Sequence, residues 1–171
     1  MKSGDIVVYF PRKSASWVSR AISWIQPRFG QGGNKDLPSA SHISILAENV
    51  DYEYESTVPF YRYHKISDKD KVNFDIWVYR YKGITDNQRE NIIDYCKCVV
   101  NQPWYKRMYG IEELLTLGLY NLKFMKACSE FVGYIYMQAG ITLGDNPDEY
   151  LLSPNEIIYN TSSLEKVYEF K

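Results

Sequence analysis

Three segments in the first half of the chain have the spacing and composition typical of β-strands. Residues 4–10 read GDIVVYF, residues 41–48 read SHISILAE and residues 72–81 read VNFDIWVYRY. A polar turn at ENVD follows the second strand, and residues 52–63, YEYESTVPFYRY, are predicted to run back beside it as a further strand. The first half of the chain therefore predicts an antiparallel sheet.

Strict alternation sets the faces of the predicted strands. In the second strand, His42, Ser44 and Leu46 share one face, and Ile43 and Ile45 share the other. The third strand alternates over its full length, and the residues on its apolar face are Val72, Phe74, Ile76 and Val78.

A helix is predicted between the first two strands, over SASWVSRAISWIQP, with Pro27 ending it. Its apolar residues at helical spacing include Trp17 and Trp24. Such a stripe usually packs into the core, so we expect both indoles to be buried; a lid or a lipid-facing surface is the alternative. A glycine-rich loop over 29–41 follows.

Helical patterns dominate the second half of the chain. Thr85 and Gln88 form a predicted capping box ahead of an apolar stripe, and residues 111–122 have an apolar helical pattern. A further helix follows Cys128 and ends near Gly140. The chain closes with a strand-like stretch, KVYEF. Strands first and helices behind predict an α+β class, with residues 1–171 as a single domain.

Composition and charge exclude several function classes. The 171 residues carry a formal net charge of −1 with no basic excess, so we expect no nucleic-acid partner. Neither a secretory signal nor a membrane-spanning stretch is recognised. Three cysteines do not suggest a disulfide framework, which favours a cytoplasmic or otherwise reducing compartment. Cys96 and Cys98 lack partners at zinc-site spacing, and we predict neither a metal nor a cofactor.

Cys128 is the candidate nucleophile. It stands where the apolar stripe of KACSEFVGYIYMQAG begins, so it falls at the start of a predicted helix. Unpaired backbone N–H groups and the helix dipole favour an anion there, and the thiolate is the reactive form of cysteine. A small buried residue is the alternative interpretation.

Two histidines are available as a base for that thiol. His42 begins an apolar strand beside a loop, where functional sites are often built, whereas His64 lies among charges near a strand end. A structural role is the alternative for both, and it is favoured for His64.

The turn between the strand over residues 41–48 and the strand over residues 52–63 determines whether a carboxylate can orient His42. A two-residue or a four-residue loop places Ser44 opposite Glu55, and Glu55 is then a diagonal neighbour of His42 at roughly 7–8 Å between Cα atoms. Glu53 shares this face one step further away. A three-residue loop would turn Glu55 to the opposite face, and a solvent-facing carboxylate is the alternative.

Five short motifs occur in an order that resembles the circularly permuted NlpC-type papain-like hydrolases, including the YiiX-like group and, more distantly, lecithin:retinol acyltransferase. The motifs are GDIVVY, SHISIL, YEYES, ACSEFVGYIY and LSPNEI. The resemblance implies an antiparallel sheet or partial barrel packed against helices, with the nucleophile at a helix N-terminus.

The resemblance also implies roles for individual residues. Cys128 is the matched nucleophile, His42 the base and Glu55 the third polar residue, while Trp104, Tyr105 and Ser129 would contact substrate. One departure is NQPWYKR, where Lys106 stands at a position that is often aspartate in relatives. It leaves the substrate preference open.

The function implied is a cysteine peptidase or amidase that cleaves an amide, isopeptide or ester bond through a Cys–His–Glu triad. Expected substrates are peptides, amides or acyl lipids. Two alternatives stay open: a lipid acyltransferase or thioesterase of the same fold acting at a membrane surface, and a non-catalytic binding module.

Overall fold

The fold is known from a computed structural model that describes residues 1–29, 37–57, 60–103, 127–144 and 153–170. Six antiparallel strands form one open sheet in the order β4-β3-β2-β1-β5-β6. The strands are β1 (Ile6–Pro11), β2 (His42–Leu46), β3 (Tyr52–Thr57), β4 (Phe60–Lys65), β5 (Phe74–Tyr81) and β6 (Leu164–Phe170). The predicted α+β class is confirmed, and the sheet is open rather than closed into a barrel.

Five helices accompany this sheet in the described ranges. They are α1 (Trp17–Phe29), α2 (Asp68–Asn73), α3 (Asp86–Val100), α4 (Ala127–Gln138) and α5 (Pro154–Asn160). The predicted capping box of Thr85 and Gln88 begins α3, and an equivalent box of Ser153 and Glu156 begins α5. Among the residues that the structure describes, no helix could cross a lipid bilayer.

The two faces of the sheet carry separate apolar clusters, as the strand alternation requires. One cluster joins Ile6, Val8, Ile43 and Ile45 to α3 and α4, including Val132 and Ile135 of α4. The other joins Val7, Tyr9, Leu46, Ile76 and Val78 on the opposite face. The first cluster fixes α4, and therefore Cys128, against β2 and β3.

The end of α4 follows its predicted signal. Gly140 has a φ of 74°, a left-handed conformation that costs glycine little and that commonly terminates a helix. The amide of Ile141 then bonds the carbonyl of Tyr136, which closes the last turn. The predicted helix over residues 128–139 is therefore confirmed at both ends.

Three predicted elements differ from the structure. The helix predicted to stop at Pro27 runs to Phe29, because a proline near a helix end removes only one backbone bond. The strand predicted over 52–63 is two strands, β3 and β4, and residues 58–59 between them lie outside the described residues; the sequence has a proline there, which has no N–H for the ladder. Val72, predicted to lie in a strand, belongs to α2 and is exposed.

Helix α2 was not predicted, although the sequence contains a capping box at its start. Ser67 caps it by accepting a hydrogen bond from the amide of Asp70, and the Asp70 carboxylate accepts one from the amide of Ser67. This reciprocal arrangement favours a helix start and outweighs the strand alternation at residues 72 and 73. The predicted loop over 104–110 and helix over 111–122 lie outside the described residues, as do residues 30–36 of the glycine-rich loop.

A buried ion cluster ties the first strand to the rest of the fold. Asp5 is 1% exposed, and its carboxylate accepts two hydrogen bonds from Arg80 and one from Arg89. Arg89 also donates to the carbonyl of Ser3. Because the carboxylate and both guanidinium groups are removed from most of the solvent, each depends on the others for charge balance.

We predict that Asp5→Ala lowers the free energy of unfolding by about 3–5 kcal/mol, because it leaves two partly buried arginines without their counter-ion. Urea denaturation measures the change. Asp75→Ala is the matched control: Asp75 pairs with Arg12 at an exposed position, and its loss should cost less than about 1 kcal/mol. Equal costs for the two variants would contradict this account.

Candidate active site

The register of β2 and β3 fixes the geometry of the candidate site. Ile45 pairs with Tyr54 and Leu46 with Glu53, so continuing the ladder places Ser44 opposite Glu55. This is the register expected from a two-residue or a four-residue loop. Paired residues point to one face, and Glu55 therefore projects beside His42.

Glu55 is held by three neighbours. Its Oε2 atom accepts a hydrogen bond from His42 Nε2 at 2.8 Å and another from the Thr57 hydroxyl at 2.9 Å. Its other oxygen accepts from Nε of Arg62, the residue directly across on β4. Burial alone would raise the pKa of Glu55, but the hydrogen bonds and positive charges of His42 and Arg62 lower it to about 2. Glu55 is therefore a carboxylate at neutral pH.

Cys128 contacts the same imidazole. It is the second residue of α4, it is 7% exposed, and it lies beside His42 in the same cleft, close enough to raise the pKa of that imidazole. Since Nε2 of His42 is occupied by Glu55, Nδ1 is the ring nitrogen that remains for sulfur. His42 is the first residue of β2, so its ring lies at the end of the sheet, where the start of α4 can reach it.

The pKa of His42 reflects both contacts. Burial disfavours the imidazolium and lowers the pKa, but hydrogen bonds to Cys128 and Glu55, together with their negative charges, hold it well above its usual value. The arrangement therefore favours an imidazolium placed between a sulfur and a carboxylate. The imidazolium can donate a proton to a leaving group, and the neutral imidazole that results can accept one.

A cleft of about 290 Å³ gives access to these groups. Cys128, His42 and Glu55 all line it. The side chain of His42 is 24% exposed, so the imidazole is reachable from solvent. The remaining wall combines apolar residues with charged ones: Val18 and Ile22 of α1, Phe74 of β5, Arg62 and His64 of β4, and Asp70 of α2.

A second carboxylate lies beneath the imidazole. The Tyr9 ring packs against the His42 ring with centroids 5.4 Å apart, and the Tyr9 hydroxyl donates to Glu53 Oε2 at 2.6 Å. The Ser44 hydroxyl donates to the same oxygen. Glu53 therefore supports Tyr9, and Tyr9 supports one face of the imidazole, so the pair helps to position His42.

Glu53 and Glu55 have opposite environments although they share one face of β3. Glu53 is fully buried with hydroxyl donors, whereas Glu55 has an imidazole and a guanidinium. Burial, followed by the negative charge of Glu55, raises the pKa of Glu53 from 4.5 to about 7. The carboxylate that contacts His42 is thus Glu55, and Glu53 acts behind it.

The other predicted site residues have mixed outcomes. Trp104 and Tyr105 lie outside the described residues. Ser129 follows Cys128 in α4 and its side chain is fully buried. Its backbone N–H, and not its side chain, is therefore the group that would contact substrate. Cys96 is buried and Cys98 is exposed, both within α3 as predicted. In the described part of the chain, no group of acidic, histidine and cysteine side chains is arranged to hold a metal ion.

Tyr9 and Arg62 were not identified as site residues from the sequence, whereas Glu53 was the alternative to Glu55 as the carboxylate beside His42. Arg62 stands opposite Glu55 because the chain reverses after Thr57, and an opposite-charge pair across two strands would have been expected had that reversal been recognised. Tyr9 pairs with His42 across β1 and β2, which is a non-local contact without a signal in the local pattern.

The geometry is the principal guide to what this site does. No family model matches the chain, and no curated protein matches it significantly.

We predict that Glu53→Gln changes how stability depends on pH. The unfolded Glu53 ionises near pH 4.5 and the folded one near 7, so the folded state binds more protons between these values. The wild-type protein therefore loses up to about 3 kcal/mol relative to Glu53→Gln as pH rises from 4.5 to 7. Urea denaturation at a series of pH values measures the difference.

Glu55→Gln is the control for this experiment, because its effect has the opposite sign and a different pH range. The pKa of Glu55 is lowered to about 2, so its contribution is present above pH 4.5 and is lost as pH falls toward 2. If the stability difference between wild type and Glu53→Gln stays constant from pH 4.5 to 7, Glu53 is not a buried carboxyl of raised pKa.

Proposed function

We propose that the protein is a cysteine hydrolase of the papain-like, permuted NlpC type, acting on an amide, isopeptide or ester carbonyl. The observation that carries the proposal is the position of His42, which contacts Cys128 while its Nε2 atom bonds Glu55. A nucleophile, a base and an orienting carboxylate in this order are the parts that thiol catalysis requires. The open sheet with the nucleophile helix packed against it supports the assignment.

In the first half of the reaction, the Cys128 sulfur attacks the substrate carbonyl carbon and its thiol proton is held by His42. The carbonyl π electrons move to oxygen and give a tetrahedral oxyanion. This collapses to a thioester as the bond to the leaving group breaks, and His42 gives its proton to the departing amine or alcohol. Glu55 stabilises the imidazolium throughout and keeps its ring oriented.

In the second half, His42 accepts a proton from water, and the resulting hydroxide attacks the thioester carbonyl. The tetrahedral species collapses, the carbon–sulfur bond breaks, and the carboxylic acid and the Cys128 thiolate are released. The His42 imidazolium then returns its proton to sulfur, so the cycle is balanced in atoms and charge.

The start of α4 suits the oxyanion of both steps. The first N–H groups of a helix have no intrahelical acceptor, and Cys128 is the second residue of this helix. The backbone N–H groups at Cys128 and Ser129 are therefore candidates for the donors. Removing one such donor from an enzyme typically costs about 10²–10³ in rate.

Acyl transfer is the second candidate function, and it differs only in the second half, where an acceptor hydroxyl or amine replaces water. Acyl transfer is kept as a candidate because α1, a helix that lines part of the cleft, also carries exposed indoles. The non-catalytic binding module remains the third hypothesis. Against it stands the set of three hydrogen bonds that hold Glu55 beside an imidazole and a thiol.

We expect a small thiol-reactive probe to modify Cys128 at least tenfold faster than Cys98 at neutral pH, because His42 lies beside the Cys128 sulfur and can act as its base. Cys98 is the internal control, since it is exposed on α3 and has no such neighbours in the described structure. Peptide mapping by mass spectrometry measures both rates in one sample.

The same measurement on variants tests the role of each partner. His42→Ala should slow the modification of Cys128 at least tenfold and leave Cys98 unchanged, and Glu55→Gln should have a smaller effect in the same direction. Equal modification of Cys128 and Cys98 in the wild-type protein would favour the binding module over the enzyme.

A further inference from the structure

Helix α1 has two surfaces with different exposures. Val18, Ser19 and Ile22 line the cleft. Trp17 is 76% exposed and Trp24 is 60% exposed, so the expectation that these indoles pack in the core is wrong. Residues seven apart lie on one side of a helix, so the two indoles form a strip about 10 Å long, on the side of α1 that faces away from the cleft.

The charge around this strip has one sign. Arg20 is exposed, and it stands between the indoles at i+3 from Trp17. Residues 6–35 contain no Asp or Glu and five basic residues, although the whole chain has 20 basic and 21 acidic residues. The basic residues are Arg12, Lys13, Arg20, Arg28 and Lys35. Arg12 is paired with Asp75 of β5, so among the side chains that the structure describes the exposed Lys13 and Arg20 remain to supply positive charge.

We propose that α1 is an interfacial helix that docks this protein on an anionic lipid surface through Trp17 and Trp24. Indole rings are favoured at the headgroup level of a membrane, where one edge is apolar and the other is wet. Basic residues on the same helix add attraction to anionic lipids, and an amphipathic helix with this combination lies in the plane of the interface.

A lipid surface fits the strip better than a protein partner does. A stable protein–protein interface takes roughly 20–30 residues from each side. Over residues 17–24, the part of α1 whose side chains the structure describes, the exposed apolar side chains are Trp17, Val18 and Trp24, which occupy two turns of helix. A second copy of the chain would also bring the same basic residues face to face, and like charges oppose such pairing.

Docking by this strip would leave the cleft on the other side of α1. Val18, Ser19 and Ile22 line the cleft, and helical spacing places Trp17 and Trp24 on the opposite side of the same helix. The docking therefore does not depend on the proposed thiol chemistry.

Co-sedimentation of the full chain with vesicles tests the docking. We expect binding to vesicles of phosphatidylcholine mixed with phosphatidylserine, and weak or no binding to phosphatidylcholine alone. Trp17→Ala/Trp24→Ala and Arg20→Glu should each weaken binding at least tenfold. Tyr134→Ala is the matched control, since Tyr134 is an exposed aromatic residue on α4, away from the strip, and this variant should bind as the wild type does.

Two control measurements distinguish a loss of docking from misfolding and from a failure of the catalytic proposal. The rate at which a small probe modifies Cys128 should be the same in the double tryptophan variant and the wild type, which shows that the variant is folded. Cys128→Ser should bind vesicles normally, so a failure of the catalytic proposal does not affect this test.

The proposal is overturned by any of three results. Binding to neither kind of vesicle at low salt excludes the docking, and equal binding by the double tryptophan variant excludes the strip. A dimer seen by sedimentation equilibrium that the tryptophan substitutions dissociate, without vesicle binding, would make a second copy of the chain the partner.

Discussion

The hydrogen bond between His42 Nε2 and Glu55 Oε2 is the contact on which the site depends. It exists because β2 and β3 pair in one register, and a slip by one residue would turn Glu55 to the opposite face of the sheet. Occupying Nε2 leaves Nδ1 for Cys128, so one contact fixes both the orientation of the ring and the nitrogen that faces sulfur. Packing of α4 on β2 and β3 then brings the thiol to that nitrogen.

The two glutamates of β3 show how environment assigns a role to each carboxylate. Glu55 has cationic partners and stays ionised, which stabilises an imidazolium beside the thiol. Glu53 is buried with the hydroxyls of Tyr9 and Ser44, so its charged form is disfavoured and it serves as a hydrogen-bond acceptor behind the imidazole. If Glu53 were fully ionised, its negative charge would attract the His42 imidazolium in competition with Cys128. Burial disfavours the ionised form of Glu53 and so weakens this competition.

Local patterns predicted the elements that hold the site, but not all of its neighbours. The alternation of β2, the capping box of α3 and the glycine that ends α4 were sufficient to place His42 and Cys128 at element starts. The position of Glu55 depended on a turn length that the sequence left open. Tyr9 and Arg62 reach the site through pairings with other strands, which a single local pattern does not encode. The exposure of Trp17 could not be predicted either, because an apolar stripe has the same spacing whether it faces a core or a surface.

The titration of His42 by NMR tests the central claim most directly, and the chain has two histidines, so His64→Gln assigns the signals. The account predicts a pKa for His42 well above 6.5 in the wild-type protein, because Cys128 and Glu55 both favour the imidazolium. The pKa should fall in Cys128→Ser and also in Glu55→Gln. An ordinary pKa for His42 that neither substitution moves would contradict the account, since the imidazole would then have neither the thiol nor the carboxylate as a partner.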